Sequence, residues 1–400
     1  MFKKIVSIIL CVAMLAAFAV VAASCGDSKD DFKLGVILLH DEDSTYDLNF
    51  INAVKEAQAQ LGLDDSQVIF KRNTLEGNEC YEAACDLVDE GCKVIFADSF
   101  GHEPYMIKAA EKFPEVQFCH ATGTKAHTQG LKNYHNAFAS IYEGRFLAGI
   151  AAGMKLNEMI ENGTITADKA KMGYVGAYTY AEVISGLTSF YLGAKYVCPS
   201  VTMDVQFTGE WYDEGKEKTA ALALIDAGCV LISQHADSMG APSACEDRNV
   251  PNISYNGSTE AACPDTFIVS SKIDWAPYVK YICESVINGK EIATDWCGDL
   301  KTGSVKLTDL GKKATAAGTS EKIAEVKALL ESGKLHVFDT ATFTVGGNTL
   351  TSYLADVDDA GDYVKETEAI SGGYFHESEY RSAPYFDMQI DGINFLNSKY

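Results

Sequence analysis

The chain has 400 residues, a formal net charge of −23, 47% hydrophobic residues and 22% charged ones. That length exceeds a single compact core and that composition is not that of a disordered chain, so two lobes are expected. The excess of acid argues against nucleic acid and anionic lipid headgroups as partners, because both would be repelled.

Lys3 and Lys4 precede a nearly unbroken apolar run from Ile5 to Val21, followed by the small residues Ala22, Ala23 and Ser24. A basic start, an apolar middle and a small-residue exit form a secretory signal. With Cys25 directly after it, the segment resembles a bacterial lipoprotein signal, although Ala22 stands where that family usually has Leu. The resemblance implies that residues 1–24 are removed, that Cys25 is acylated, and that 25–31 is a lipid-anchored linker. A plain cleaved signal and an uncleaved membrane span are the alternatives. All three place the rest of the chain on the extracytoplasmic face, since the lysines stay inside.

Of the twelve cysteines, ten lie beyond the signal and Cys25. An even number in an exported protein permits disulfides. No C-x-x-C pair occurs, however, and Cys119, Cys229 and Cys283 sit in apolar runs, which favours buried, reduced thiols. No paired Cys/His spacing suits a metal.

From residue 34 a regular alternation begins. Short apolar runs at 34–39, 68–70, 93–97, 116–119 and 136–140 predict strands. Helical spacing predicts helices over 47–61, 79–89, 104–113 and 141–155, the first stopping at Gly62. The rhythm restarts with strands at 172–177, 202–207, 230–233, near 253 and near 267–270. Helices are expected at 181–192, 216–227, 240–247 and 275–287. Strand–helix alternation means a parallel sheet covered on both faces, so the fold class is α/β, with two doubly wound lobes joined by a hinge. The first lobe is expected to hold 32–140 and about 266–290, the second about 141–265 and 291–350. Further on, 320–330 reads as helix and 335–343 as strand. Residues 351–400 read as an acidic, loop-rich extension that packs on a lobe or is partly disordered.

Ligands of open parallel sheets bind beyond the carboxyl ends of the strands. Those ends supply His40 and Tyr46, then Asp98, Phe100 and His102. They go on with Tyr178 and Tyr180, Trp211 and Tyr212, His235 and Asp237, Tyr255 and Asn256, and Lys272 and Trp275. Facing loops of this kind form an aromatic-walled cleft suited to a flat, partly polar ring. Asp237 suits two hydrogen bonds from neighbouring hydroxyls or from a ring N–H and an amino group. It equally suits an N-cap before Gly240. Lys272 reads as a donor to ring or sugar oxygens or as a partner of Asp237, and equally as a solvated lysine. Trp275 opens a helix and equally packs inside. No G-x-S-x-G, G-x-G-x-x-G or H-E-x-x-H occurs, so no enzyme signature, cofactor or metal site is expected.

The run Tyr142-Glu143-Gly144-Arg145-Phe146-Leu147-Ala148-Gly149-Ile150-Ala151-Ala152-Gly153 resembles the signature helix of the basic membrane protein family. These are substrate-binding lipoproteins of ABC importers. Gly209-Glu210-Trp211-Tyr212-Asp213, and the run from Ala227 to Ser238, are similar to its purine-binding branch. The resemblance covers roughly residues 32–345. It implies a type I periplasmic-binding-protein fold with no enzymatic activity, and a ring-stacking role for Tyr46. It further implies a ribose contact for Asp237, a second sugar or ring contact for Lys272, and cleft positions for Phe100 and Trp211. The Ser-Phe-Asn of nucleoside receptors reads Thr45-Tyr46-Asp47 here, and Tyr255-Asn256-Gly257 replaces another motif, so base and nucleoside both stay open.

The expected protein is thus a monomeric, lipid-anchored solute-binding protein that delivers a purine base or nucleoside to an ABC permease. Its expected ligand contacts are Tyr46, Phe100, Tyr178, Trp211, Asp237, Asn256, Lys272 and Trp275. A simple-sugar-binding protein and a ligand-sensing receptor module are the alternatives.

Overall fold

A computed structural model describes residues 29–357 and 364–398. The expected signal and the Cys25 anchor lie outside the described residues.

The first lobe is built on a six-stranded, fully parallel sheet. Its strands are β1 (Leu34–Ile37), β2 (Val68–Lys71), β3 (Val94–Ala97), β4 (Gln117–Ala121), β5 (Tyr134–Ala139) and β11 (Asp295–Gly298), in the order β11-β5-β4-β3-β1-β2. β1 and β3 are buried at every position, as strands covered on both faces by crossover helices must be. Helix α1 (Thr45–Leu61) shows how locally the crossovers are encoded. The Ser44 hydroxyl accepts the Asp47 N–H at its start, and Gly62 stops it with φ +60°, a conformation glycine adopts without steric cost.

The second sheet has the order β12-β10-β9-β8-β6-β7 and continues to a strand from the carboxyl terminus. Its members are β6 (Lys171–Gly176), β7 (Thr202–Phe207), β8 (Leu231–His235), β9 (Asn252–Tyr255), β10 (Phe267–Ile273) and the antiparallel β12 (Val305–Leu307). The last strand, Ile393–Phe395, pairs parallel with β7.

Three expectations are corrected. Residues 266–290 do not all belong to the first lobe: β10 pairs parallel with β9 in the second sheet, and only helix α8 (Ala276–Ile287) returns to the first. The chain crosses after β10, where Trp275 sinks into the first-lobe core. Residues 291–350 do not all belong to the second lobe, because β11 pairs with β5. Residues 335–343 form turns and not a strand, with one isolated bridge from Asp339 to Tyr374. Their apolar side chains are buried by ring packing instead, Phe338 against Phe386 at 4.4 Å and Tyr142 at 5.4 Å.

The family-like run lies on helix α4 (Ile141–Glu161), which crosses from β5 into the second lobe and packs along helix α5 (Ala181–Val197). Its glycines are a contact surface. A Cβ on Gly149 would stand 2.1 Å from the Phe190 carbonyl oxygen, and one on Gly193 only 2.0 Å from that of Phe146. The two helices therefore touch backbone to backbone. Arg145, fully buried, pins α4 to the second sheet. It donates to the Gln234 carbonyl at 2.9 Å and to the Tyr174 hydroxyl, and its guanidinium lies 4.7 Å from the Tyr255 ring.

Candidate functional site

The carboxyl ends of the two sheets face each other across a narrow slot. The first lobe contributes Leu39, His40, Tyr46, Asp47, Ser99, Phe100 and Thr122. The second contributes Glu182, Trp211, His235, Asp237 and Tyr255.

Tyr46 sits in the second position of α1, and its ring is fixed at both ends. The hydroxyl donates to the Asp98 carbonyl at 2.8 Å, and Phe50 packs 4.9 Å from the ring. Trp211 lies on the other lobe. Tyr178 meets it edge to face at 5.1 Å and stacks on Tyr180 at 4.9 Å, while Phe100 reaches Tyr180 at 5.2 Å. An aromatic fence therefore runs from one lobe to the other. Tyr178 braces Trp211 and is not itself in the lining.

Asp237 is 6% exposed. Its main chain joins the lobes: the carbonyl accepts both the N–H of Thr45 at 3.0 Å and its hydroxyl at 3.1 Å. Burial, with Glu217, Asp47 and Glu182 nearby, pushes its carboxyl well above the usual range. These surroundings thus disfavour the charged form, and N–H or O–H donors to the carboxyl would favour it. Asp237 is not a helix cap. Helix α7 (Gly240–Arg248) begins three residues later, and the Gly240 N–H is met by the Ser238 hydroxyl at 3.0 Å.

One pair of carboxyls and one histidine–carboxylate pair shape the polar side of the slot. Burial works to raise the Asp47 carboxyl, but bonds from His40 and Ser44 hold it below the usual range. Asp98, fully buried behind it, is pushed well up by burial and by the Asp47 charge. On the second lobe, His235 Nε2 lies 3.4 Å from the Glu182 carboxylate, and burial lowers the pKa of this histidine.

Of the eight expected contacts, Tyr46, Phe100, Trp211 and Asp237 line the slot. The other four do not: Tyr178 stands behind Trp211, and three lie farther off. Trp275 is a core residue, stacked on Phe50 at 4.6 Å and edge-on to Phe96 at 5.7 Å. Its position at the β10–α8 crossing turns it inward. Asn256 is buried behind the slot with φ +64°, its N–H bonded to the Ser271 carbonyl. Lys272 is half-buried on β10 opposite Lys306, at the edge of the sheet where β12 joins it. Sequence reasoning missed Glu182 and Thr122. Glu182 stands in the first turn of a helix that follows a strand, where an acidic residue is favoured and close to the cleft. Thr122 directly follows β4, and a lone threonine at a strand end carries no distinguishing signal.

Among the described residues no group of His, Cys, Asp and Glu is placed to hold a metal ion, and no helix is long and apolar enough to cross a membrane. The ten cysteines described are unpaired, and eight of them are buried.

The family model described as ABC transporter substrate-binding protein PnrA-like matches residues 36–336. A purine-binding protein of Brucella abortus is 31% identical over 329 residues, covering 82% of this chain and 88% of its own length. An ABC transporter protein of Haloferax volcanii, provisionally named for glucose binding, is 31% identical over 250 residues, 62% of this chain and 60% of that one. An ABC transporter solute-binding protein from Aeropyrum pernix shares the fold, with a TM-score of 0.66 at 17% identity over 77% of this chain and 93% of its own.

Proposed function

Because the chain belongs to the Bmp family of PnrA-like ABC transporter substrate-binding proteins, which bind solutes without transforming them, we propose that its ligand is a purine base or purine nucleoside held in the interlobe slot. One observation carries this reading: two fixed aromatic rings from opposite lobes, Tyr46 and Trp211, line the same narrow space as the buried Asp237 carboxyl. Aromatic faces take the two sides of a flat ring, and a carboxylate takes its N–H and amino edge. The similarity to a purine-binding relative along most of both chains supports it.

Lobe closure holds the ligand, and the closed form docks on the permease, releasing the solute for import. Acylation at Cys25 keeps the monomer on the extracytoplasmic face of the membrane. Glucose is the second reading, favoured by the provisionally named relative and by the liking of sugar faces for aromatic walls.

Calorimetry with adenine, adenosine, guanine and glucose tests the assignment. Binding of a purine is expected, weakened by about tenfold or more, roughly 1.4 kcal/mol, in Asp237→Ala and in Tyr46→Ala. Binding of glucose and of no purine would overturn it.

A further inference from the structure

The slot does not end at its own walls. Past Phe100, Thr122 and Glu182 it opens into a second, wider compartment, and the three residues line both. The outer wall of this compartment comes from the C-terminal extension, through Arg381, Ala383 and Tyr385. That segment lies beyond the residues matched by the family model.

The wall is firmly built. The Arg381 guanidinium donates to the carbonyls of Val357, Ala383 and Pro384 at 3.0–3.2 Å. The buried Glu377 carboxylate accepts the N–H groups of Tyr385 and Phe386, each at 2.8 Å. Both lobes hold it. The Ser382 N–H bonds the Asp295 carboxylate on β11 at 2.8 Å, and Ile393–Phe395 extends the second sheet beside β7.

At the neck stands Thr122, 4% exposed, with no hydrogen-bond partner for its hydroxyl. Its φ is +67°, a conformation that a β-branched residue rarely adopts and that persists only when the surroundings enforce it. Such strain is concentrated at binding sites, and an unpartnered buried hydroxyl is costly unless a ligand meets it.

We infer that the C-terminal extension is part of the ligand site and sets its specificity: the compartment it walls receives a neutral, hydroxyl-bearing substituent of the bound ring. The inference rests on the purine reading and deepens it. The chemistry follows from the groups present. The Thr122 hydroxyl and the Glu182 carboxylate suit hydroxyl partners. Asp387 is paired with Lys365 at 2.7 Å, and the guanidinium of Arg381, the cation in this lining, is turned to carbonyls, so the compartment presents the acidic Glu182 and no ready partner for a phosphate or carboxylate on the ligand.

The test is calorimetry with adenine, adenosine and adenosine monophosphate on the full mature protein, on Ala383→Leu, which fills the compartment from the extension, and on Thr179→Leu, which fills it from the half-exposed opposite wall. Adenosine should bind the parent more tightly than adenine, and the monophosphate more weakly than adenosine. The adenosine-to-adenine affinity ratio should fall about tenfold or more in whichever variant keeps the parent melting temperature. An unchanged ratio in a folded variant, or a monophosphate binding as well as adenosine, overturns the inference while leaving the purine reading intact. Failure of both adenine and adenosine to bind the parent overturns the purine reading itself.

Discussion

Asp237 does two jobs with two parts of one residue. Its carboxyl faces the slot, and its carbonyl takes both donors of Thr45 from the other lobe. In the proposed function, reading the ligand and closing the lobes therefore meet at a single position. Thr45 is the first residue of α1, and Ser44 before it is extended at φ −79°, ψ 129°, as a residue preceding proline must be. Thr45→Pro should start the helix normally while removing both donors. In stopped-flow dissociation the variant should release ligand several-fold faster, with the melting temperature of the empty protein little moved, and an unaltered release rate would show that the contact does not hold the closed form. The expected site was legible where it depended on strand ends alone, as for Tyr46, Phe100, Trp211 and Asp237. Trp275 and Lys272 also follow a strand end in the sequence. Their side chains nevertheless go to the first-lobe core and to the sheet edge, because the crossing of β10 and the pairing of β12 decide their direction. Neither is visible in residue order.

At the scale of elements, the strand–helix rhythm and the capping residues were readable because they are local. The first crossover helix ends at Gly62 as its sequence says. What was not readable is which sheet a strand joins: β10 reads as an apolar run following a first-lobe-like rhythm yet joins the second sheet, and β11, Asp-Trp-Cys-Gly, carries no strand pattern yet joins the first. The run 335–343 misled for another reason: apolar residues hidden by aromatic packing need no ladder. The α4–α5 crossing shows an element whose sequence has one purpose. Gly149→Val would force the two backbones apart by more than a side chain can absorb, since the first obstacle is the Phe190 carbonyl. We expect a loss of about 1–3 kcal/mol or more in urea unfolding. A loss within about 0.5 kcal/mol, typical of an unconstrained surface site, would contradict the close packing.

For the whole molecule, buried carboxyls give stability a pH dependence. Glu217, fully buried and accepting the Ser238 N–H, is raised by burial to about 7, and Glu143 likewise to about 7. A carboxyl whose folded pKa is raised stabilises the fold fully below its unfolded value of 4.5 and loses that contribution as pH climbs through the folded value. The melting temperature should therefore decline between pH 5 and 8, and less steeply in Glu217→Gln. A variant with the parent slope would remove Glu217 from the account. The two lobes, the fence of rings between them and the Thr45–Asp237 contact are the parts of the proposed function, in which the lobes close on a flat ligand lying against Trp211. Of the three tryptophans, Trp275 is sealed in the core and Trp296 packs on Tyr278, so Trp211 alone lines the slot. The most direct measurement is tryptophan fluorescence during adenine titration of the parent and of Trp211→Phe. Quenching in the parent that disappears in the variant, while calorimetry still detects binding, is the predicted result. Quenching of equal depth in both would contradict a purine seated between the lobes at Trp211.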